Sequence, residues 1–118
     1  MSQGLARTDV SPRQRLLDIF VPLPSVRGCP FLNASAEVAD AAHPARAEAA
    51  RCKQAFVDDI IRTAVEAGAD DPDLLGHQLA VLSDGARAQA AALLSQEPVA
   101  YAKTIAEQLI NSALEPGA

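Results

Sequence analysis

An all-helical domain is the fold class this sequence predicts, and three observations carry it. Alanine supplies 25 of the 118 residues, aromatics only 3%, and there is no Trp. Small side chains in that number suit helices that approach closely, not the aromatic-rich core of a β-sandwich. From Pro44 onward apolar residues recur at three- and four-residue spacing, the period of a helix that buries one face. Ser-Pro, His-Pro and Asp-Pro pairs stand ahead of these runs, and Pro fits a first helical position because the amide there has no intrahelical partner. The length is that of one domain, able to bury roughly two-thirds of the surface of its unfolded chain without disulfide or metal staples.

Residues 1–10 are polar and unpatterned and read as a tail, which leaves residues 11–118 as the domain. Ser11 opens the first helix, with Pro12 at its first position and Gln14 at its third, the form of a capping box. Leu16, Leu17, Phe20 and Val21 supply its apolar face, and Pro22 and Pro24 end it. A connector over residues 27–33 leads to a second short helix, Ala34 to Ala41. The third runs from Pro44 to Ala67, with Cys52, Phe56 and Ile60 in one row and Val57, Ile61 and Val65 in the next. Gly68 stands where a left-handed cap is wanted.

Asp71 can accept the orphan amides of a fourth helix that starts at Pro72 and ends near Leu94. Leu75, Leu79, Leu82, Ala86, Ala90 and Leu93 lie along its seam, and its middle is small-sided. Gly85 costs about 1 kcal/mol relative to Ala in a helix, so it asks for a packing reason. Ser95 to Pro98 interrupts the chain, and Val99 to Leu114 forms the last helix. Ala102, Ile105, Leu109 and Ala113 share one of its rows, with Ala106 and Ile110 beside them.

The last two helices carry apolar residues on more than one flank, more than an antiparallel pair buries by itself. The expected consequence is a homodimer in which they form an intersubunit four-helix bundle. Its seam would contain Leu79, Leu82, Ser83, Gly85, Ala86, Ala90, Leu93, Ala102, Ile105, Leu109 and Ala113. The alternative is that the N-terminal helices cover both flanks within one subunit, but the first two are short for that task.

Charge excludes some functions. The net charge is −5, with +1 on residues 1–62 and −6 on residues 63–118. Neither half offers the clustered Lys and Arg that displace counterions from phosphates, which argues against direct nucleic-acid binding by this chain alone. Arg46, Arg51, Lys53 and Arg62 are interleaved with Glu48, Asp58, Asp59 and Glu66, as on a solvated helix face laced with ion pairs. The longest apolar stretch near the N-terminus is short and interrupted by Asp18, and nothing resembles a membrane span. The expectation is a cytoplasmic protein with reduced thiols.

No catalytic constellation emerges, and the chain is not expected to be an enzyme or to hold a metal or cofactor. Cys29 and Cys52 form no metal-ligand set. Cys29, between Gly28 and Pro30, could be an exposed thiol, although a small apolar role suits it better, and Cys52 belongs to the core row. His43 and His77 have no nucleophile or acid at useful spacing. Asp58 and Asp59 diverge by about 100° around their helix, and Asp70, Asp71 and Asp73 mark a helix start.

Arg27-Gly28-Cys29-Pro30-Phe31-Leu32-Asn33-Ala34-Ser35-Ala36-Glu37 resembles a stretch that precedes the long central helix in the C-terminal regulatory domain of many TetR-family transcriptional repressors. The likeness continues through His43-Pro44-Ala45-Arg46, Ala67-Gly68-Ala69-Asp70-Asp71-Pro72 and Leu79-Ala80-Val81-Leu82-Ser83-Asp84-Gly85-Ala86, and spans roughly residues 11–114. It implies an all-helical ligand-sensing and dimerisation domain, its last two helices pairing across a two-fold axis and its earlier ones enclosing an effector pocket. A small, mostly apolar effector would then meet Phe31, Leu32, Phe56, Val57 and Ile60, with Asn33 or Gln54 as a polar contact. The sequence departs from the family pattern in two places. No helix-turn-helix precedes Ser11, and the stretch from Phe20 to Arg27 is short, with Pro22 and Pro24 where the family helix continues. The alternative reading is a dimerising interaction module that binds no ligand.

Overall fold

The structure, a computed structural model, describes residues 5, 9–21 and 44–114. Among them are helices α1 (Pro12–Leu17), α2 (Pro44–Ala67), α3 (Pro72–Leu93) and α4 (Glu97–Leu114), with a 3-10 turn, Asp18–Phe20, continuing α1. The expected helix over residues 34–41 and the prolines Pro22 and Pro24 lie outside the described residues.

Local chemistry explains each start and stop. Ser11 Oγ accepts from the Gln14 amide at 3.2 Å and caps α1, but the Gln14 side chain donates to Asp18 Oδ1 at 2.9 Å. The expected capping box is therefore only half formed, because an acceptor one turn ahead competes for the amide. α2 ends in a Schellman motif: Gly68 has φ +84, its amide donates to Val65 O, and the Ala69 amide donates to Ala64 O. Asp71 Oδ1 then accepts from the Leu74 amide at 3.1 Å to open α3. α4 starts two residues earlier than expected. Ser95 Oγ accepts from the Glu97 amide at 3.1 Å, and Pro98 is accommodated in the first turn, where its missing N–H leaves no bond unmade.

α2 and α3 run antiparallel, joined by a tight turn, and α4 returns along α3. α1 packs on α2 and α4 at one end. Phe20, Leu16, Ile60, Leu75, Leu79, Val99 and Ile110 are fully buried where these elements meet. On α2 the buried residues are Ala49, Phe56, Val57, Ile60, Thr63 and Ala64, whereas Val65 is exposed. The second expected row thus turns out of the core beyond half-buried Ile61, and the stripe continues through the smaller Thr63 and Ala64. Val21, expected on the apolar face of the first helix, is likewise exposed, because the chain leaves helical geometry at that residue.

Polar contacts pin α1 to the other helices. The buried Arg15 donates to Leu5 O at 2.8 Å, Val10 O at 3.2 Å and Glu66 Oε2 at 2.7 Å. Arg13 reaches Asn111 on α4 at 2.7 Å. On α2, Arg51 pairs with Glu48 and Arg62 with Asp59, the local ion pairs expected of a solvated face, but Lys53 and Glu66 are engaged by other helices.

Candidate interaction face and a buried polar cluster

The outer sides of α3 and α4 form a continuous apolar groove. His77, Gln78, Val81 and Leu82 of α3 face Ile105 and Leu109 of α4 along one stretch. The groove continues over Gly85, Ala86 and Gln89 toward Pro98, Tyr101 and Ala102, sharing Val81, Leu82 and Ile105 with the first stretch. Val81 is 72% exposed, Tyr101 68% and Ile105 46%. No Asp, Glu, Lys or Arg is found among the described residues that line it, although 21% of the sequence is charged.

The eleven residues expected at a subunit seam divide between two faces. Leu79, Ser83 and Ala90 are buried among the helices of the same chain, and Ala113 is half-buried against that core. Ala86 and Ala102 form the floor of the groove, with Leu82, Gly85, Ile105 and Leu109 also lining it. Leu93 is exposed near the end of α3. A seam drawn through residues 75, 79, 82, 86, 90 and 93 keeps the helical period of 3.6, but the buried stripe is centred to one side of it, which leaves Leu93 exposed. The inner stripe instead follows Leu75, Leu79, Ser83, Arg87 and Ala90. The expected seam left out Val81 and Tyr101, which line the groove, whereas His77 was expected at a surface or interface and does line it. The available signal was the four-residue spacing of the uncharged Val81, Gly85 and Gln89.

Of the expected effector contacts, Phe31, Leu32 and Asn33 lie outside the described residues, as do Cys29 and His43. Phe56, Val57 and Ile60 are buried in the core. Gln54 is on the solvent side of α2, its amide donating to Asp58 Oδ1 at 2.9 Å. Cys52 is a half-buried free thiol.

A polar cluster sits between α2 and α3 beneath the 3-10 turn. Lys53 Nζ meets Asp84 Oδ1 at 2.6 Å and lies 5.4 Å from the centroid of the Phe56 ring. Ser83 and Arg87, one turn apart on α3, are buried at 1% and 6% exposure. Arg87 donates from one terminal nitrogen to Ile19 O at 2.5 Å, yet its Nε and the Ser83 hydroxyl find no hydrogen-bond partner among the described residues. Burial holds the Arg87 pKa below the usual arginine range, and the Asp84 charge opposes that shift.

Among the described residues no helix is long and apolar enough to cross a membrane, and no group of three or more His, Cys, Asp or Glu is arranged to hold a metal. The family described as "Tetracyclin repressor-like, C-terminal domain" matches residues 14–106. No curated protein and no solved structure matches the chain.

Proposed function

Because the chain belongs to the tetracyclin repressor-like C-terminal domain family, we propose that it is a regulator's effector-binding and homodimerisation domain, with the α3–α4 face pairing two subunits. The observation that carries this reading is the uncharged apolar groove containing Val81, Leu82, Tyr101 and Ile105. In a two-fold dimer a patch meets its own copy, so any net charge on it would face the same charge; a charge-free patch is self-complementary. Gly85 fits the same arrangement. A Cβ there would meet nothing within 4 Å among the described residues, so packing inside the subunit does not account for the glycine. Its cost in the helix is offset if a partner backbone approaches closely.

Effector binding follows from the family resemblance and from the buried apolar face of α2, where Phe56, Val57 and Ile60 would contribute to an apolar site. In such a regulator the effector shifts the population between two arrangements of the dimer. Light scattering after size exclusion tests the interface. A dimer at tens of micromolar that becomes monomeric on Ile105→Glu is the expected result, and a monomeric wild type would overturn it. A thermal-shift screen of apolar ligands tests the sensor, since a ligand at 100 times its Kd adds about 2.7 kcal/mol. A dimer that responds to none of them would be an interaction module without a ligand.

A further inference from the structure

From the cluster beneath the 3-10 turn we infer that the effector carries a carboxylate, which Arg87 and Ser83 bind with Lys53 as the outer cation. The inference rests on the effector-binding reading above and names the ligand class. Three features of the cluster support it. First, two cations share one carboxylate: Asp84 is held by Lys53 at 2.6 Å, and its charge also acts on Arg87. The cluster therefore carries an excess positive charge inside a chain whose net charge is −5. A buried cation without its own counterion is costly, and an anion that reaches it recovers that cost.

Second, the unused donors are adjacent. Arg87 Nε–H and the Ser83 hydroxyl lie one helical turn apart on the same face of α3, each cut off from solvent and each without a partner among the described residues. A carboxylate is the small anion whose two oxygens match a guanidinium edge and can also accept from a hydroxyl. The Ile19 carbonyl accepts one hydrogen of Nη2, which anchors the guanidinium and leaves the neighbouring Nε–H as the unused donor. Third, the Lys53–Asp84 pair above this floor is about one-quarter exposed, and Phe56 stands beside it. Entry past that pair would set an acidic head against Arg87 and an apolar body against Phe56.

Octanoate and benzoate, with octan-1-ol and benzyl alcohol as neutral counterparts, serve as probes on the full chain, read by calorimetric titration and by the NMR signal of the Arg87 Nε–H. The carboxylates are expected to bind at least tenfold more tightly than the alcohols and to shift the Nε–H signal. In Arg87→Met that preference is expected to vanish while apolar binding persists, and Lys53→Met is expected to reduce it. If Arg87→Met does not fold, the Nε–H shift in the wild type decides alone. Alcohols that bind as well as carboxylates, or an unmoved Nε–H signal, overturn the carboxylate assignment and leave effector binding standing. If neither class binds, both readings fall.

Discussion

A Cβ built on Gly76 of α3 would lie 2.3 Å from Ile61 Cγ1 and 3.2 Å from the Cα and N of Ile61 on α2. The two helices therefore approach at a point where only hydrogen fits. The side-chain carbon could rotate aside, but the Ile61 backbone could not. Helix propensity favours Ala over Gly by about 1 kcal/mol, whereas overpacking a close contact costs about 1–3 kcal/mol. Gly76→Ala is expected to lower stability, by up to about 2 kcal/mol, because the Ile61 backbone cannot give way. In urea denaturation the midpoint should fall with the slope unchanged.

Gly85 gives the opposite expectation. With nothing within 4 Å of its Cβ position among the described residues, Gly85→Ala should stabilise the isolated subunit by about 0.5–1 kcal/mol through propensity alone. The clean measurement is in an Ile105→Glu background, where dimerisation does not contribute. In the otherwise wild-type chain the added methyl projects into the α3–α4 groove and should weaken the dimer. A tighter dimer would mean that no partner backbone approaches Gly85.

These two glycines illustrate what could be read in advance. Proline starts, the Asp71 and Ser11 caps and the Gly68 terminator are local, and they placed α2 and α3 to within a residue. Gly85 stood out because it interrupts an alanine-rich run, but Gly76 follows two leucines and has no local oddity; its role depends on Ile61, fifteen positions back. The same limit applies to Arg87. Charged residues default to the surface in a sequence reading, and its burial depends on the Ile19 carbonyl 68 positions away. The groove was half legible: Leu82, Ile105 and Leu109 follow from periodicity, while Val81 and Tyr101 were hidden because an apolar residue outside the main stripe is ordinarily just exposed.

Arg15 joins three segments, since it holds Leu5 O, Val10 O and the Glu66 carboxylate. Arg15→Ala strands the buried Leu5 carbonyl and should cost about 2–3 kcal/mol. Arg15→Lys should recover only part, because one ammonium cannot reproduce the fork that serves three acceptors. Glu66 is half exposed on its side chain, so Glu66→Gln should cost less than about 1 kcal/mol. Equal losses from Arg15→Ala and Glu66→Gln in denaturant titrations would show that the ion pair, not the carbonyl contacts, carries the effect.

Leu94 closes α3 in the left-handed region at φ 50, a conformation that glycine adopts without strain. Its side chain is largely exposed, so little burial is lost on replacement. Relief of the left-handed strain is worth about 1 kcal/mol, and glycine's greater freedom in the unfolded chain offsets part of that. Leu94→Gly should therefore stabilise the fold by about 0.5 kcal/mol, a rise in Tm of about 2 °C. A fall in Tm would indicate that the leucine contributes packing outside its own helix.

Ser83 separates stability from binding. A buried hydroxyl with no partner costs about 1–3 kcal/mol in desolvation, and alanine at a helical site adds a favourable propensity. Ser83→Ala should therefore stabilise the unliganded protein by about 1 kcal/mol in urea denaturation. The same variant should bind octanoate several-fold more weakly, because it removes one of the two donors offered to the carboxylate. Calorimetry on the stabilised variant measures this without interference from unfolding. A variant that is destabilised and binds normally would show that the hydroxyl is satisfied within the fold, leaving Arg87 as the sole donor at that site.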